Sequence, residues 1–163
     1  MNKEVQTQEN ALTVAEDSYE LNADIFAACK NSDGIRKVTS LDLNSEEDTN
    51  MLLNAQQNVD FKLNDMVDTE IVCTGCYVVE RPVVTFNEET GEEIARKKHI
   101  LMLFDKDGKS YVTGSSACYN SFNNIASIKG LPTKENPIIL KPIKVEADTK
   151  GHSYLKLQIV IKK

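Results

Sequence analysis

The sequence predicts a mainly β protein with some helix: one small barrel of five strands, preceded by short N-terminal helices. Two observations predict it. Segments rich in Val, Ile, Thr and Tyr recur from about residue 70 onward, and clear turn signals separate them. With 163 residues, the chain is long enough for one domain and an appendage but short for two full domains.

The front of the chain predicts a tail and two helices. Residues 1–18 are polar, acidic and without period, so we expect a disordered tail. Residues 19–64 are expected to form a helical appendage, with a short helix or turn over 21–29. Ser45, followed by acidic residues, predicts the start of a second helix over 46–58, whose inward residues are Met51, Leu52 and Ala55.

Residues 65–163 are predicted to form the barrel. The five expected strands cover residues 70–81 with an extension to 86, 94–104, 109–113, 138–146 and 153–161. Gly75 marks a bulge or bend in the first of them, and Asp107-Gly108 marks a tight hairpin between the second and third.

A helix is predicted between the third and fourth of these strands. Gly114 and Ser116 mark its start, Gly130 and Pro132 mark its end, and an apolar stripe runs along it, formed by Cys118, Phe122, Ile125 and Ala126. Five strands with a helix at this point match the OB-fold, a Greek-key barrel that binds oligonucleotides across its middle strands and loops. We therefore expect an OB-like nucleic-acid-binding domain.

The hairpin also predicts which side chains face solvent. A loop of two or four residues places Phe104 and Tyr111 on the outer face and Leu101, Leu103, Ser110 and Val112 on the core face, whereas a loop of three residues breaks this deduction. In the last strand, the alternation of Leu and Ile predicts that Tyr154 and Lys156 point outward. Strand aromatics are, however, more often core residues than binding platforms.

Aromatic rings interleaved with lysines suit unpaired nucleic acid. Bases stack on rings for roughly 1–3 kcal/mol each, and ammonium groups replace counterions along the phosphates. The residues expected to bind nucleic acid are Phe104, Tyr111, Tyr154, Arg96, Lys97, Lys98, Lys109 and Lys156.

The distribution of charge agrees with this expectation better than the net charge of −6 does. Residues 1–69 carry 5 basic and 14 acidic groups, whereas residues 70–163 carry 14 basic and 11 acidic groups. A binding face is governed by its local field, so an overall acidic protein can still bind an anion. The acidic front predicts either a solubilising tail, or a segment that mimics DNA or docks replication proteins.

Catalytic and metal motifs are weak. Cys73 and Cys76 have the spacing of half a zinc site, but the sequence offers no second pair, so we interpret them as packing residues. The acidic run from Glu88 to Glu93 suggests a solvated loop. A phosphate-binding loop, a dinucleotide fingerprint and a nucleophile elbow are absent from the sequence. We expect a protein without enzyme activity, cofactor or metal.

Several stretches resemble a known family. AQQNVDFKLNDMVDTEIVCTGCYVVERP, the hairpin ILMLFDKDGKSYVTGS, the helix SACYNSFNNI and the exit IKGLP resemble single-stranded DNA-binding proteins of phages and mobile elements from low-GC bacteria, over about residues 55–163. The resemblance implies an OB-like fold and cooperative coating of DNA during replication, without a catalytic centre. The chain departs from the cellular type of such proteins, whose acidic tail is C-terminal, because here the acidity lies at the front.

The expected partner is single-stranded DNA, with replication proteins as further partners of the acidic segment and a homo-oligomer as an open alternative. A protein-interaction module of phage origin, which binds or inhibits a host protein, is the alternative function. The sequence contains no apolar run of membrane-spanning length, and MNKEVQTQEN lacks the apolar region of a secretory signal. We expect a cytoplasmic protein, in the host cell if the chain is phage-encoded.

Overall fold

The computed structural model describes residues 34–148 and 151–161. The predicted tail over residues 1–18 and the predicted helix or turn over 21–29 lie outside these residues. The described elements, in chain order, are β1 (Arg36–Thr39), α1 (Glu46–Gln57), β2 (Phe61–Lys62), a short 3-10 turn (Leu63–Asp65), β3 (Ile71–Phe86), β4 (Glu93–Asp105), β5 (Ser110–Thr113), α2 (Ser116–Lys129), β6 (Ile138–Glu146) and β7 (Ser153–Ile159).

The fold is mainly β: the described residues form one curled, half-barrel sheet with two helices. The strand order is β2-β5-β4-β3-β6-β7, and β1 pairs with β3 outside this path. The predicted helix over residues 46–58 and the helix between the third and fourth predicted strands are both confirmed. Ser45 accepts a hydrogen bond from the Asp48 amide, and Ser115 accepts one from the Cys118 amide, so each helix starts at a serine cap.

Seven strands, rather than the expected five, make up the described sheet. The two additional strands, β1 and β2, lie in the segment predicted to be a helical appendage. Each is short: β1 has four residues and β2 has two. Such short strands have too few residues for a period-2 pattern, so their conformation depends on pairing with β3 and β5 rather than on local sequence.

The predicted bulge at Gly75 is confirmed. The pairing of β3 with β4 shifts register between Cys73 and Gly75. A Cβ atom at Gly75 would stand 2.6 Å from Leu41 Cδ2, so a larger residue here would require the buried Leu41 side chain to shift. Beyond the bulge β3 leaves β6 and pairs with β1 instead, because Cys73 is the last partner of β6 and Tyr77 the first of β1.

The main core lies between the inner face of the sheet and α2. Its fully buried members include Val78, Leu101, Leu103, Leu140 and, from α2, Phe122. Leu155 and Leu157 of β7 are also buried there, whereas Tyr154, Lys156 and Gln158 are exposed, as the alternation of the last strand predicts.

A second apolar cluster lies on the opposite face of the sheet, where α1 covers one end of it. Leu52 and Ala55 of α1 pack with Leu41, Met102 and Phe104. Both faces of the end of β4 are therefore buried, since one lies under α2 and the other under α1.

The prediction that Phe104 and Tyr111 lie on one solvent-facing surface is wrong. Asp105 N–H donates to Lys109 C=O, which leaves three residues in the hairpin loop, and Gly108 has φ +80°. Phe104 consequently pairs with Ser110, and Tyr111 pairs with Leu103. This odd register moves Tyr111 onto the inner face with Leu101 and Leu103, while Val112 moves to the opposite face with Met102.

Beyond the half-barrel, β3 and β4 continue as a two-stranded arm. Arg36 pairs with Glu80, which is the last described contact of β1 with β3, and β5 reaches only to Leu101 of β4. The arm comprises residues 81–86 of β3, residues 93–98 of β4 and the turn between them. Among the described helices, none is long and apolar enough to cross a membrane.

Candidate nucleic-acid interface

The two aromatic residues expected to bind bases from the β4–β5 hairpin are buried. Phe104 is 0% exposed and Tyr111 is 6% exposed. The Tyr111 ring stacks on Phe61 of β2 with centroids 5.1 Å apart, and its hydroxyl donates to Asp105 Oδ2 at 2.7 Å. Burial and the neighbouring Asp105 carboxylate raise the pKa of the Tyr111 phenol. Neither ring is available to a base, because both are buried.

The predicted basic residues of β4 lie together on the arm. Arg96, Lys97 and Lys98 are all exposed. Side chains alternate along a strand, so Arg96 and Lys98 share one face of the arm while Lys97 points to the other. Lys97 Nζ lies 3.5 Å from Glu80 Oε1, and Lys98 stands directly opposite Arg81 of β3.

The remaining predicted residues lie elsewhere. Lys109 is exposed at the tip of the β4–β5 hairpin, at the other end of β4 from the arm. Tyr154 is 43% exposed, and Lys156 beside it is also exposed. Leu140 of β6 pairs with Ile71, the first residue of β3. Tyr154 pairs with Val145, which lies five residues further along β6. The register therefore places Tyr154 at the opposite end of the sheet from the arm.

A groove lies on the face of the sheet opposite the main core, between the end of α1 and the base of the arm. Its volume is about 500 Å³. Its floor crosses four neighbouring strands, with Lys37 on β1, Tyr77, Val79 and Arg81 on β3, Ile100 and Met102 on β4, and Val112 on β5. The registers bring these residues onto one face, because Val79 pairs with both Lys37 and Ile100, and Met102 pairs with both Tyr77 and Val112. We call this feature the cationic groove.

The cationic groove has an apolar floor and positive charge at its edge. Lys37 and Arg81 line it, and no carboxylate does among the described residues. Lys98, opposite Arg81, extends the positive charge onto the arm, followed by Arg96 on the same face. Tyr77 is half-buried, packs against the α1 cluster and is the only aromatic among the described lining residues. Local charge in the groove is thus opposite in sign to the net charge of the chain.

A buried carboxylate holds the base of the arm beside the groove. Glu80 is buried on the inner face, where Arg36 Nε lies 2.9 Å from its Oε1 and His99 Nε2 lies 2.9 Å from its Oε2. The His99 ring also stacks on Tyr119 of α2 at 3.8 Å between centroids. This cluster connects β1, β3, β4 and α2 at the point where the arm leaves the half-barrel, which fixes the position of Arg81 next in sequence.

The sequence motif Cys73–Cys76 lies within β3 and its two thiols are buried. Cys73 Sγ donates to Gly75 C=O at 3.2 Å. Burial raises the pKa of both thiols, that of Cys76 to about 11. The described residues contain no cluster of three or more His, Cys, Asp or Glu side chains arranged to hold a metal ion. Cys73 and Cys76 are both fully buried members of the main core, so they contribute to packing.

The residues that line the groove are not among those that the sequence predicts to bind nucleic acid. The sequence places Tyr77 in a strand but does not predict its face, and it places Lys37 in a segment expected to be helical. The bulge at Gly75 inverts the alternation of β3, so Tyr77 falls outward although Cys73 and Cys76 both point inward. Gly75, a glycine within a β-rich segment, was the sequence signal that could have predicted this change of face.

Comparison of the chain with protein-family models, curated proteins and solved structures found no match. The cationic groove is the feature on which a functional proposal for this chain can be based. Its lining combines a strand aromatic, aliphatic side chains and two cations.

Proposed function

We propose that this protein binds single-stranded DNA without strong sequence preference, and that it does so in the cationic groove rather than on the β4–β5 hairpin rings. In this proposal the protein protects DNA during replication or recombination, as a phage or mobile element requires, and performs no catalytic step. In the same proposal, the acidic front of the chain contacts replication proteins.

One observation carries the proposal: Tyr77, Lys37 and Arg81 line one groove, in which Lys37 pairs with Val79 and Tyr77 and Arg81 lie two residues to either side of Val79, and no carboxylate is among the described lining residues. A base has an apolar π-face and an anionic backbone. The ring and the aliphatic floor suit the face, and the cations at the edge suit the phosphates. Such contacts read neither hydrogen-bond donors nor acceptors of the base, so they favour binding without sequence preference.

The order of strands supports the same proposal. The five strands expected from the sequence are β3 to β7, and α2 connects β5 to β6 as the helix of an OB-fold connects its third and fourth strands. β5, β4, β3, β6 and β7 are neighbours in that order. An OB-like barrel binds oligonucleotides across its middle strands, and in this chain those strands, β3 to β5, contribute most of the groove floor.

The size of the groove suits a short stretch of nucleic acid. A volume of about 500 Å³ leaves room for unpaired bases, with the adjoining strand running along the arm past Lys98 and Arg96. Each stacked base contributes roughly 1–3 kcal/mol, and each neutralised phosphate adds to the salt dependence of binding. Affinity on longer strands then comes from several weak contacts.

Titration of a fluorescently labelled oligothymidine at low salt tests the proposal. We expect binding that weakens steadily as salt is raised, since cations displace counterions from the strand. A duplex of the same length, labelled in the same way, is the control and is expected to bind more weakly, because its bases are not available for stacking. Absence of binding to the single strand at low salt would overturn the proposal and favour the protein-interaction module.

A further inference from the structure

The arm has two chemically different faces. Arg81, Arg96 and Lys98 lie on the face that continues from the cationic groove. The opposite face carries Val84 and Phe86, which are 58% and 64% exposed. Large apolar side chains at this exposure on neighbouring positions of a projecting hairpin are typical of a protein contact.

One edge of the arm has backbone groups without a partner strand among the described residues. Ser40 N–H donates to Cys76 C=O, so the amide groups of even-numbered residues of β3 point toward β1, and this alternation continues to the end of the strand. Asn87 N–H donates to Glu92 C=O, which confirms that odd-numbered residues point toward β4. Val84 and Phe86 therefore direct their N–H and C=O groups away from β4, to an edge that no described strand covers.

Two features decide which edge of the arm can pair. On the β4 edge, Arg96, Lys97 and Lys98 follow one another, and two such edges would repel each other. On the β3 edge, residues 83–86 are uncharged. Pro82 removes one amide from that edge, but the amides of Val84 and Phe86 remain.

The ends of the β3 edge carry opposite charges. Arg81 lies at one end, and Glu88 and Glu89 lie at the other, all of them exposed. Two copies related by a two-fold axis pair antiparallel, so the positive end of each meets the acidic end of the other. This self-complementarity favours a second copy of the chain over an unrelated partner.

Hydrogen-bond geometry then selects one register. Residues with amides on this edge must face each other, which permits Val84 opposite Val84, Val84 opposite Phe86, or Phe86 opposite Phe86. The last of these sets Val84 against Glu88, which lies beyond the end of β3, so it pairs the fewest residues. The first register places Phe86 against Pro82, whose missing N–H would leave a hydrogen bond unmade. The second places Val84 against Phe86 twice, Arg81 against Glu89, and Thr85 against Thr85 on the two-fold axis.

From these observations we infer that two copies of this chain associate through the β3 edges of their arms, with Thr85 on the axis and the exposed Val84 and Phe86 side chains packed between the copies. The four strands form one intermolecular sheet. The contact leaves the groove-facing side of each arm, with Arg96 and Lys98, outside the apolar interface. This inference concerns association of the free protein and does not require that the protein bind DNA.

Sedimentation equilibrium of the full chain across a concentration series tests the contact. We expect reversible dimers, and we expect Phe86→Glu to raise the dimer dissociation constant by about tenfold or more because it places a charge in the apolar contact. Ile128→Glu is the matched control, since Ile128 is 83% exposed on α2 away from the arm. A wild-type chain that stays monomeric, or an equal loss of association in both variants, would overturn the inference.

Disulfide trapping tests the register. Cys73, Cys76 and Cys118 are buried, and Cys29, the remaining cysteine of the sequence, is replaced by serine for this experiment. Mild oxidation of Thr85→Cys is then expected to give a covalent dimer, because directly opposed Cα atoms of a non-hydrogen-bonded pair lie about 4.5 Å apart. The control Val83→Cys lies two residues from the axis, so its two copies stand about 13 Å apart and are expected not to cross-link. Equal cross-linking of both variants, or none in Thr85→Cys, contradicts the proposed pairing. Neither readout involves DNA, so a failed oligothymidine titration would leave this result intact.

Discussion

The Tyr111 hydroxyl donates a hydrogen bond of 2.7 Å to Asp105 Oδ2, across the mouth of the β4–β5 hairpin. The same carboxylate accepts hydrogen bonds from the amides of Asp107 and Lys109 through its other oxygen, so Asp105 organises the loop and orients the ring together. With Phe61 stacked against it, Tyr111 is a structural residue of the inner face. This arrangement determines what substitutions in the hairpin should do.

Phe104→Ala should destabilise the fold and not specifically impair DNA binding. The side chain is fully buried under α1, and removing a buried phenylalanine costs about 3–5 kcal/mol. Urea denaturation followed by circular dichroism measures the change in the free energy of unfolding. A variant of near wild-type stability that no longer binds oligothymidine would show instead that this ring contacts DNA.

Tyr111→Phe should alter how stability depends on alkaline pH. Burial and Asp105 raise the folded-state pKa of Tyr111 above the ordinary value of 10.0, so below that pH the phenol is protonated in both states and its contribution is complete. As pH rises further the unfolded chain loses this proton first, and stability falls. Above pH about 10, we expect the free energy of unfolding to fall less steeply with pH in Tyr111→Phe than in the wild-type protein. Urea denaturation at each pH measures both curves. Parallel curves for the two proteins would contradict this assignment.

Tyr77→Leu should weaken binding of oligothymidine by about 1–3 kcal/mol, because it removes the ring on which a base stacks but preserves most of the packing against α1. Tyr77→Phe keeps the ring and should retain most of the affinity. Fluorescence anisotropy measures the affinity. Tyr154→Leu is the comparison, since that ring is exposed at the other end of the sheet. Loss of binding in Tyr154→Leu but not in Tyr77→Leu would place the DNA on the β7 surface that the sequence suggested.

Lys37→Ala and Arg81→Ala should each make binding less sensitive to salt. Removing one phosphate contact on a single strand is expected to reduce the slope of log K against log salt by about 0.7. Lys144→Ala on β6 serves as the control, because Lys144 is exposed and pairs with Leu155, at the far end of the sheet from the groove. An equal change of slope in all three variants would indicate a diffuse electrostatic effect rather than contacts in the groove.

Glu80→Ala should destabilise the protein by about 3–5 kcal/mol, since it removes the carboxylate from a buried cluster that contains Arg36 and His99. Thermal or urea denaturation measures the effect. Glu88→Ala at the exposed tip of the arm is the matched control and should change stability by less than about 0.5 kcal/mol. Comparable effects of the two substitutions would show that the buried cluster does not hold the arm.

Local sequence was enough to locate most elements. Ser45 caps α1 as expected, and Ser115 caps α2, one residue before the expected Ser116. Asp107-Gly108 lies in the hairpin, and the runs of β-branched residues lie in the long strands. These signals depend on capping, turn geometry and side-chain alternation within a few residues of chain. The outward orientation of Tyr154 and Lys156 followed from the same alternation, because the inner residues of β7 are regularly spaced.

Tertiary structure alone decided which faces Phe104, Tyr111 and Tyr77 occupy and where the cations of the groove lie together. A hairpin loop of three residues, instead of two or four, exchanges the two faces of β5 relative to β4, which turns Tyr111 inward. The bulge at Gly75 exchanges the faces of β3 in the same way, which turns Tyr77 outward. Packing of α1 buries Phe104 on the face opposite the main core, which would otherwise be exposed to solvent. Side-chain alternation specifies that neighbours lie on opposite faces, whereas strand register and the elements packed on each face determine which of them a ligand can reach.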